Sequence, residues 1–544
     1  MWPENRMDRE IETDSIHVLE EQIRERERTA VKLKRARNLL LNVSKLPPEI
    51  LGDIFRWNVT FKDYSVGLDE RSHNFLLVCH HWFEVASRTP EIWSFWGNTP
   101  RGWARWCHRS RTAPLDLALD GQYCDDSHLD TTLHNVLQDR ATRDTIRRVH
   151  LVAENPEFLS SIIAPLTSNS KEIRSNGIQS LLLQNNGYTP FDVSDFFAHY
   201  RFPKLQRLDL FNCTISSWGH LTSRTSFLTT LELHFGHPSP PPTTSQLLSI
   251  LASNPALRRV TLSECPTHGG DDGESPSRVQ LRHLMEFQLE GDLPDVVRLL
   301  QRLDHPRNME HLSLTLYDSD VTDISQIIGP YLRDHLQRRD RPQNGLDLSI
   351  SSGYCNEYHE YRIGFQAGDA GGINPSALVW TWREAFVTIN VLVKGSPSKN
   401  VLERAALDLI AHVPPEEIVY FHAHDNSLVM ENTHTNFPKL RAIVFDTISL
   451  SAAFLNPTLI GDGKIFPYLE HISLECVYVD CGDWTPLTTF LACRVSSGNR
   501  LDTLGITDST DLGPEVMDGI RGMVRELVVY CLVPEFPFDA YTEL

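Results

Sequence analysis

The chain has 544 residues, of which 41% are hydrophobic and 22% charged, and 51 Lys+Arg against 71 Asp+Glu leave a net charge of −20. Such a composition belongs to a folded globular chain, and the acidic balance argues against a nucleic-acid backbone binder, which needs a basic face. Ten cysteines are too few for a disulfide scaffold, no apolar run reaches the ~20 residues of a membrane span, and the charged start MWPENRMDREIETD lacks the apolar stretch of a signal peptide; these features predict a cytoplasmic or nuclear protein with no membrane partner.

Residues 1–44 read as one helical, coiled-coil-like segment. Residues 11–41 contain no Gly or Pro and are rich in Glu, Arg, Lys and Leu, all good helix formers. Alternating steps of three and four from Ile16 give Ile16, Leu19, Ile23, Arg26, Ala30, Leu33, Arg37 and Leu40. Six of the eight are apolar, a stripe interrupted by arginine. The favoured expectation is a helix packed on its own domain, and self-association is the alternative.

Residues 45–97 form the next segment. Leu46-Pro47-Pro48-Glu49-Ile50-Leu51-Gly52-Asp53-Ile54-Phe55 places proline in a first helical turn and an acid where the helix dipole favours it. Ile50, Ile54 and Trp57 share one face, and Leu51 and Phe55 line an adjacent one. A helix this short needs one apolar face for its own core, so the second implies another contact. A further apolar cluster, FLLVCHHWFEVASRTPEIWSFW, runs over 75–96, with Pro90 ending a helix near Ser87.

The order Leu-Pro-x-Glu-Ile-Leu-x-x-Ile-Phe, then Leu76/Leu77, Val78, Cys79 and Trp82, then Ala86, Pro90 and Trp93, resembles the F-box. The likeness covers about 50 residues; the segment 58–73 is longer than the usual connection. F-box domains are three-helix modules that dock on the Skp adaptor of cullin-based ubiquitin ligases. The resemblance implies that Leu46, Pro47, Glu49, Ile50, Leu51, Ile54 and Phe55 make or support that contact, and that Val78, Trp82 and Trp93 hold the module together.

Residues 98–140 read as a junction in which Trp103 and Trp106 could wedge the module against the first repeat. From 141 to 534 an apolar-x-x-apolar-x-apolar pattern recurs, as in Leu205/Leu208/Leu210, Leu228/Leu231/Leu233, Leu257/Val260/Leu262, Leu284/Phe287/Leu289 and Leu469/Ile472/Leu474. Starts in the first run lie 23 to 32 residues apart, around the ~20–29-residue period of leucine-rich repeats, which the region resembles with irregular units. Asn186, Cys213 and Cys265 occupy the slot that in such repeats turns inward and bonds the turning backbone. Phe202-Pro203, Asn254-Pro255, Phe437-Pro438 and Phe466-Pro467 precede strands as turns. Weaker strands are expected at Leu346–Ile350, Phe386–Val391 and Ile418–Ala423, and exposed loops at 236–245, 268–278 and 364–376. The expected fold is α/β: an N-terminal helical F-box module followed by an irregular leucine-rich-repeat-like solenoid, whose units bury their apolar faces by stacking.

The common catalytic constellations are missing: no G-x-S-x-G, H-E-x-x-H, C-x-x-C or phosphate loop occurs. Cys79-His80-His81 and His422-Ala423-His424 offer too few ligands for a structural zinc site. No enzyme activity, cofactor or metal is expected. The expected role is a substrate-receptor subunit of a Skp–cullin–F-box ubiquitin ligase, bound to the Skp adaptor, through it to a cullin, and to an unidentified protein target; the alternative is a non-catalytic repeat scaffold without ubiquitin transfer. Strand residues alternating with the apolar pattern face outward, so Arg207, Asp209, Phe211, Glu232, His234, Glu286 and Glu290 are the expected target-binding strip, acidic near Glu286 and Glu290.

Overall fold

The computed structural model describes residues 7–60, 70–97, 108–110, 113–123, 145–167, 177–199, 202–225, 227–235, 242–264, 278–304, 309–318, 324–338, 346–355, 358–367, 387–394, 408–424, 437–446, 466–476, 483–507 and 512–530. The fold is mixed α/β, with helices at the N-terminus and largely parallel β-sheet after them. Two compact units, Met1–Cys213 and Thr214–Leu544, divide the chain.

The first unit opens with α1 (Met7–Leu39). Its apolar stripe does not pack on its own domain as the sequence predicts: Ile16, Leu19, Ile23 and Leu33 are all more than half exposed. After α2 (Pro48–Thr60), a 3-10 turn over Glu70–Leu77 and α3 (His80–Arg88) come five strands that pair one to the next in chain order. These are β1 (Phe95–Trp96), β2 (Leu115–Asp120), β3 (Ile146–Ala153), β4 (Ser180–Asn185) and β5 (Arg207–Phe211), each parallel to the last. Helices α4 (Pro156–Thr167) and α5 (Ser194–His199) follow β3 and β4. Two apolar rows cross this sheet in register, Leu117–Val149–Leu181–Leu208 and Leu119–Leu151–Leu183–Leu210, and all eight side chains are buried. The sheet starts before residue 141: β2 lies in the stretch read as a junction, and β1 in the helical module. Trp103 and Trp106 lie outside the described residues.

The second unit repeats the plan. Its strands of more than two residues are β6 (Thr230–His234), β7 (Arg259–Ser263), β8 (Glu286–Asp292), β9 (His311–Asp318), β10 (Leu346–Cys355), β11 (Tyr358–Ala367), β12 (Val387–Lys394), β13 (Ile418–His424), β14 (Ala442–Asp446), β15 (His471–Glu475), β16 (Thr503–Thr507) and β17 (Glu526–Tyr530). From β6 to β9, and again from β13 to β17, neighbours are parallel and in chain order. Between these runs the order reverses. β9 pairs with β12, β12 with β11, β11 with β10, and β10 with β13; β11 alone of these strands runs antiparallel to its neighbours.

The three weaker strands expected in this stretch form. β11 is an additional strand beyond that expectation, and its last residues, Gly364–Ala367, fall in a segment expected to be loop. The inserted hairpin keeps the rows intact. One runs Leu233–Leu262–Leu289–Leu314–Ile389–Ile363–Ile350–Ala423–Phe445–Leu474–Ile506. An insert that broke this register would turn polar side chains into the core.

Backbone chemistry explains the pattern's spacing. The carbonyl of the first x residue accepts from both x residues of the next repeat. Thr229 O accepts from Arg258 N (2.8 Å) and Arg259 N (3.0 Å), Arg258 O from Met285 N (2.7 Å) and Glu286 N (2.9 Å), and Met285 O from Glu310 N (2.7 Å) and His311 N (2.9 Å). Arg441 and Glu470 do the same later in the unit, and Gln179 does so in the first. The proline turns precede this step. Phe202, Asn254, Phe437 and Phe466 each accept from the leucine three residues on, at 3.1–3.2 Å, with proline where its fixed φ favours the bend.

Strand ends are marked by three non-glycine residues at positive φ, Asn212 (50°), Glu264 (55°) and Cys476 (49°), each just past its strand. In β5 this extra residue carries Cys213 into the inward slot, where it is buried and its Sγ donates to Leu183 O at 3.6 Å. β4 lacks the extra residue, so Asn185 takes the slot and Asn186 is exposed, a correction to the sequence reading. Cys265 lies outside the described residues. Asn185 Nδ2 donates to Thr189 O (2.6 Å) and Asn212 O (3.4 Å), and its Oδ1 accepts from Gly187 N (3.1 Å).

Because Asn185 is fully buried, Asn185→Ala should leave these backbone groups unpaired and cost about 1–3 kcal/mol. Urea unfolding checks this; an unchanged midpoint would mean that the turn holds itself.

Candidate functional site

The N-terminal module is built on α2. Pro48 begins the helix with Glu49 in its first turn, and Leu51 N donates to Pro47 O at 3.0 Å. One side of α2, Leu51 and Phe55, enters a core with Phe75, Val85, Ala86, Ile92, Trp93 and Phe95. Phe55 stacks on Phe75 with centroids 4.5 Å apart and meets Trp82 at 5.1 Å. Trp93 Nε1 donates to Ala86 O at 2.7 Å, and the Arg109 guanidinium lies 4.4 Å from the Trp93 ring centroid. Gly52 permits close approach of α2 to the end of α3, where a Cβ would stand 3.1 Å from Thr89 Oγ1. Ala118 of β2 joins this core, and β1 pairs with β2, so the module is fused to the sheet of its own unit.

The other side of α2 is open. Ile50, Ile54 and Trp57 are 47%, 48% and 61% exposed and recur at helical spacing. Leu77 and Val78, at the end of the 3-10 turn, are exposed too. Pro47 and Glu49 are exposed and Leu46 half-buried.

The F-box-like residues therefore separate into two groups. Leu46, Pro47, Glu49, Ile50 and Ile54 are accessible to a partner. Leu51, at 0% exposure, and Phe55 are core and can only support a contact from beneath. Trp82 and Trp93 pack in or against the core, but Val78 does not belong to it. Trp57, Leu77 and the half-exposed Phe83 were absent from the expected docking residues. The i, i+4, i+7 spacing already held Trp57, whereas Leu77 and Phe83 required the fold.

The outward faces of the sheets differ from the expected strip. In the first unit Asp209 is buried and paired with Arg207 at 3.5 Å, while Phe211 is exposed. Two strands earlier, Arg147 makes a bidentate pair with buried Asp116 (3.2 and 3.0 Å). Burial, helped by the positive charge of Arg207, pushes His150 down to about 4.

In the second unit Glu286 is held by Arg259 through two hydrogen bonds, one of 2.6 Å, and this partner keeps its carboxyl below the usual range. Glu290 accepts hydrogen bonds from Ser263 and Tyr317 on the two neighbouring strands. Burial lowers the pKa of His234, against the pull of Glu232 and Glu290. The acidic part of the expected target-binding strip is thus largely engaged within the sheet. Reversing Glu286 would set two cations together, so it would test stability before it tested binding.

No family model matches the sequence, and no curated protein matches it. Among solved structures, a chain from the crystal structure of a TLR13–ssRNA13 complex aligns at 11% identity with a TM-score of 0.28, over 80% of this chain and 55% of that one. The chain thus spans just over half the length of that neighbour. The repeat architecture rests on the strand pairing above. No described helix is long and apolar enough to cross a membrane.

Burial sets the expected response of α2 to truncation. Leu51→Ala or Phe55→Ala should cost about 2–5 kcal/mol of stability through cavity formation, whereas Ile54→Ala should cost under about 1 kcal/mol because its side chain is half exposed. Thermal or urea unfolding ranks them, and equal losses would contradict the two-faced reading of α2. Burial also sets a pH dependence. The neutral form of His150 is favoured on folding, so its contribution is complete above its ordinary value near 6.5 and is lost as pH falls toward 4. His150→Gln should flatten the decline in stability over that window, by up to about 3 kcal/mol. Parallel pH profiles for the two proteins would refute this.

Proposed function

We propose that the chain is the substrate-receptor subunit of a Skp–cullin–F-box ubiquitin ligase. The observation that carries the reading is the division of α2: Leu51 and Phe55 hold the module together, while Ile50, Ile54 and Trp57, each about half exposed, present an apolar face to solvent on a helix whose sequence resembles the F-box. Anchors of this size, set on a helix fixed from behind, are the kind that carry binding energy. The module docks on the Skp adaptor, which links it to a cullin. Its fusion to the sheet through β1 and Ala118 lets the receptor hold a target at a set distance from the charged conjugating enzyme. The chain itself supplies no chemistry; proximity accelerates transfer by the partners.

The repeats supply the target surface. Phe211 remains the best single anchor in the first unit, an exposed aromatic at the end of the strand that carries the Arg207–Asp209 pair. The second reading, a repeat scaffold without ubiquitin transfer, with or without the Skp adaptor, is favoured by the breadth of the sheets and predicts no cullin.

Co-purification with the Skp adaptor and then a cullin separates the two. Ile54→Asp with Trp57→Asp should weaken adaptor binding by at least about 30-fold, equivalent to some ~2 kcal/mol, with the melting temperature unchanged. Wild-type affinity in that variant would remove α2 as the docking helix, and absence of adaptor binding by the wild type would leave the scaffold reading.

A further inference from the structure

We infer that α1 is a self-association element and that two copies of the chain pair through it in antiparallel orientation. Its exposed stripe, its charge distribution and the position of its two stripe arginines point the same way. The helix has 33 residues and is about 50 Å long. Its side chains are exposed from Ile16 to Arg37, including Ile16, Leu19, Ile23, Val31 and Leu33. A stripe repeating at three and four residues from Ile16 to Leu40 is the seam of a two-stranded coiled coil.

Charge is distributed along the helix by halves. Residues 7–27 hold eight acids and three bases, a balance of −5; residues 28–39 hold five bases and no acid, a balance of +5. The macrodipole favours acids only in the first turn and bases only in the last, so it does not account for a division running the whole length. Within one helix, Arg24 reaches Glu21 (2.8 Å) and Glu20 (3.4 Å), and Arg28 reaches Glu25 (3.5 Å). No acid lies between Arg28 and Pro48, so Lys32, Lys34, Arg35 and Arg37 have none within reach along their own helix. In a parallel pair like halves would face each other. In the antiparallel register given below, residues 17–27, with four acids and two arginines, lie against residues 29–39 of the other copy, with four bases and no acid.

The stripe selects the same orientation. A parallel pair would set Arg26 against Arg26 and Arg37 against Arg37 in the seam. The antiparallel register that matches the stripe end to end pairs Ile16 with Leu40, Leu19 with Arg37, Ile23 with Leu33, and Arg26 with Ala30. Each arginine then faces an uncharged side chain, Arg26 the smallest in the stripe, and can lay its stem along the seam while its guanidinium reaches the rim. The occupant of this face is therefore a second copy of the chain, independently of what α2 binds.

Light scattering with size exclusion on the full chain at micromolar concentration should give the mass of a dimer. Ile23→Asn with Leu33→Asn should raise the dissociation constant at least tenfold with the melting temperature of the repeats unchanged, since neither side chain is buried. Orientation is read by oxidation: chains carrying Leu19→Cys, mixed with chains carrying Arg37→Cys, should link to each other. A wild-type monomer at these concentrations, a dimer indifferent to the double substitution, or linkage of Leu19→Cys chains only among themselves would each overturn the proposal.

Discussion

A single carbonyl accepting two N–H groups from the next repeat fixes where strands of both units start. Thr229, Arg258 and Met285 pass this contact along the second unit, and Gln179 makes it in the first. The two donors occupy the x-x positions between the first and second apolar residues, so the chain cannot shift by one residue without losing both bonds. The leucine preceding them is thereby turned inward, and the two apolar residues after them alternate into the same core. Buried rows such as Leu233–Leu262–Leu289–Leu314 result from that repeated constraint. A short strand could not bury its own apolar face, and only the next strand in the same register completes it.

The same constraint explains how the second unit accepts an insertion. β10, β11 and β12 enter in reversed order, yet Ile350, Ile363 and Ile389 continue the row that reaches Ala423 and Phe445. On the outward face, polar side chains serve the sheet more than a visitor. Arg259 with Glu286, Arg441 with Glu470, and Glu290 with Ser263 and Tyr317 link adjacent strands.

Much of this was legible in the sequence because the core requires large apolar residues at fixed spacing. Leu205, Leu208 and Leu210 announce their strand, as do Leu469, Ile472 and Leu474, and Phe-Pro or Asn-Pro announces the turn before several of them. β11 escapes that pattern because it follows a different rule, the simple alternation His359, Tyr361, Ile363, Phe365. β2 escapes it because LDLALD lacks the leading apolar residue. The shift from Asn186 to Asn185 depends on whether a positive-φ residue follows the strand, which only the backbone reveals. At α2 the two apolar faces were evident from spacing, but which of them is core was decided by Phe75, Ile92 and Trp93, residues distant in the chain. Pairing across strands, which takes up Glu286 and Glu290, has no signature in either strand alone.

The functional reading depends on α2 having one face for the protein and one for a partner. Hydroxyl-radical footprinting of the full chain, with and without saturating Skp adaptor, addresses that directly. Ile50, Ile54 and Trp57 are expected to lose reactivity when the adaptor binds, while buried Leu51 and Phe55 stay unreactive in both states. Unchanged reactivity at these three residues in the saturated complex, or protection confined to the outward face of the repeats, would contradict that division of the helix.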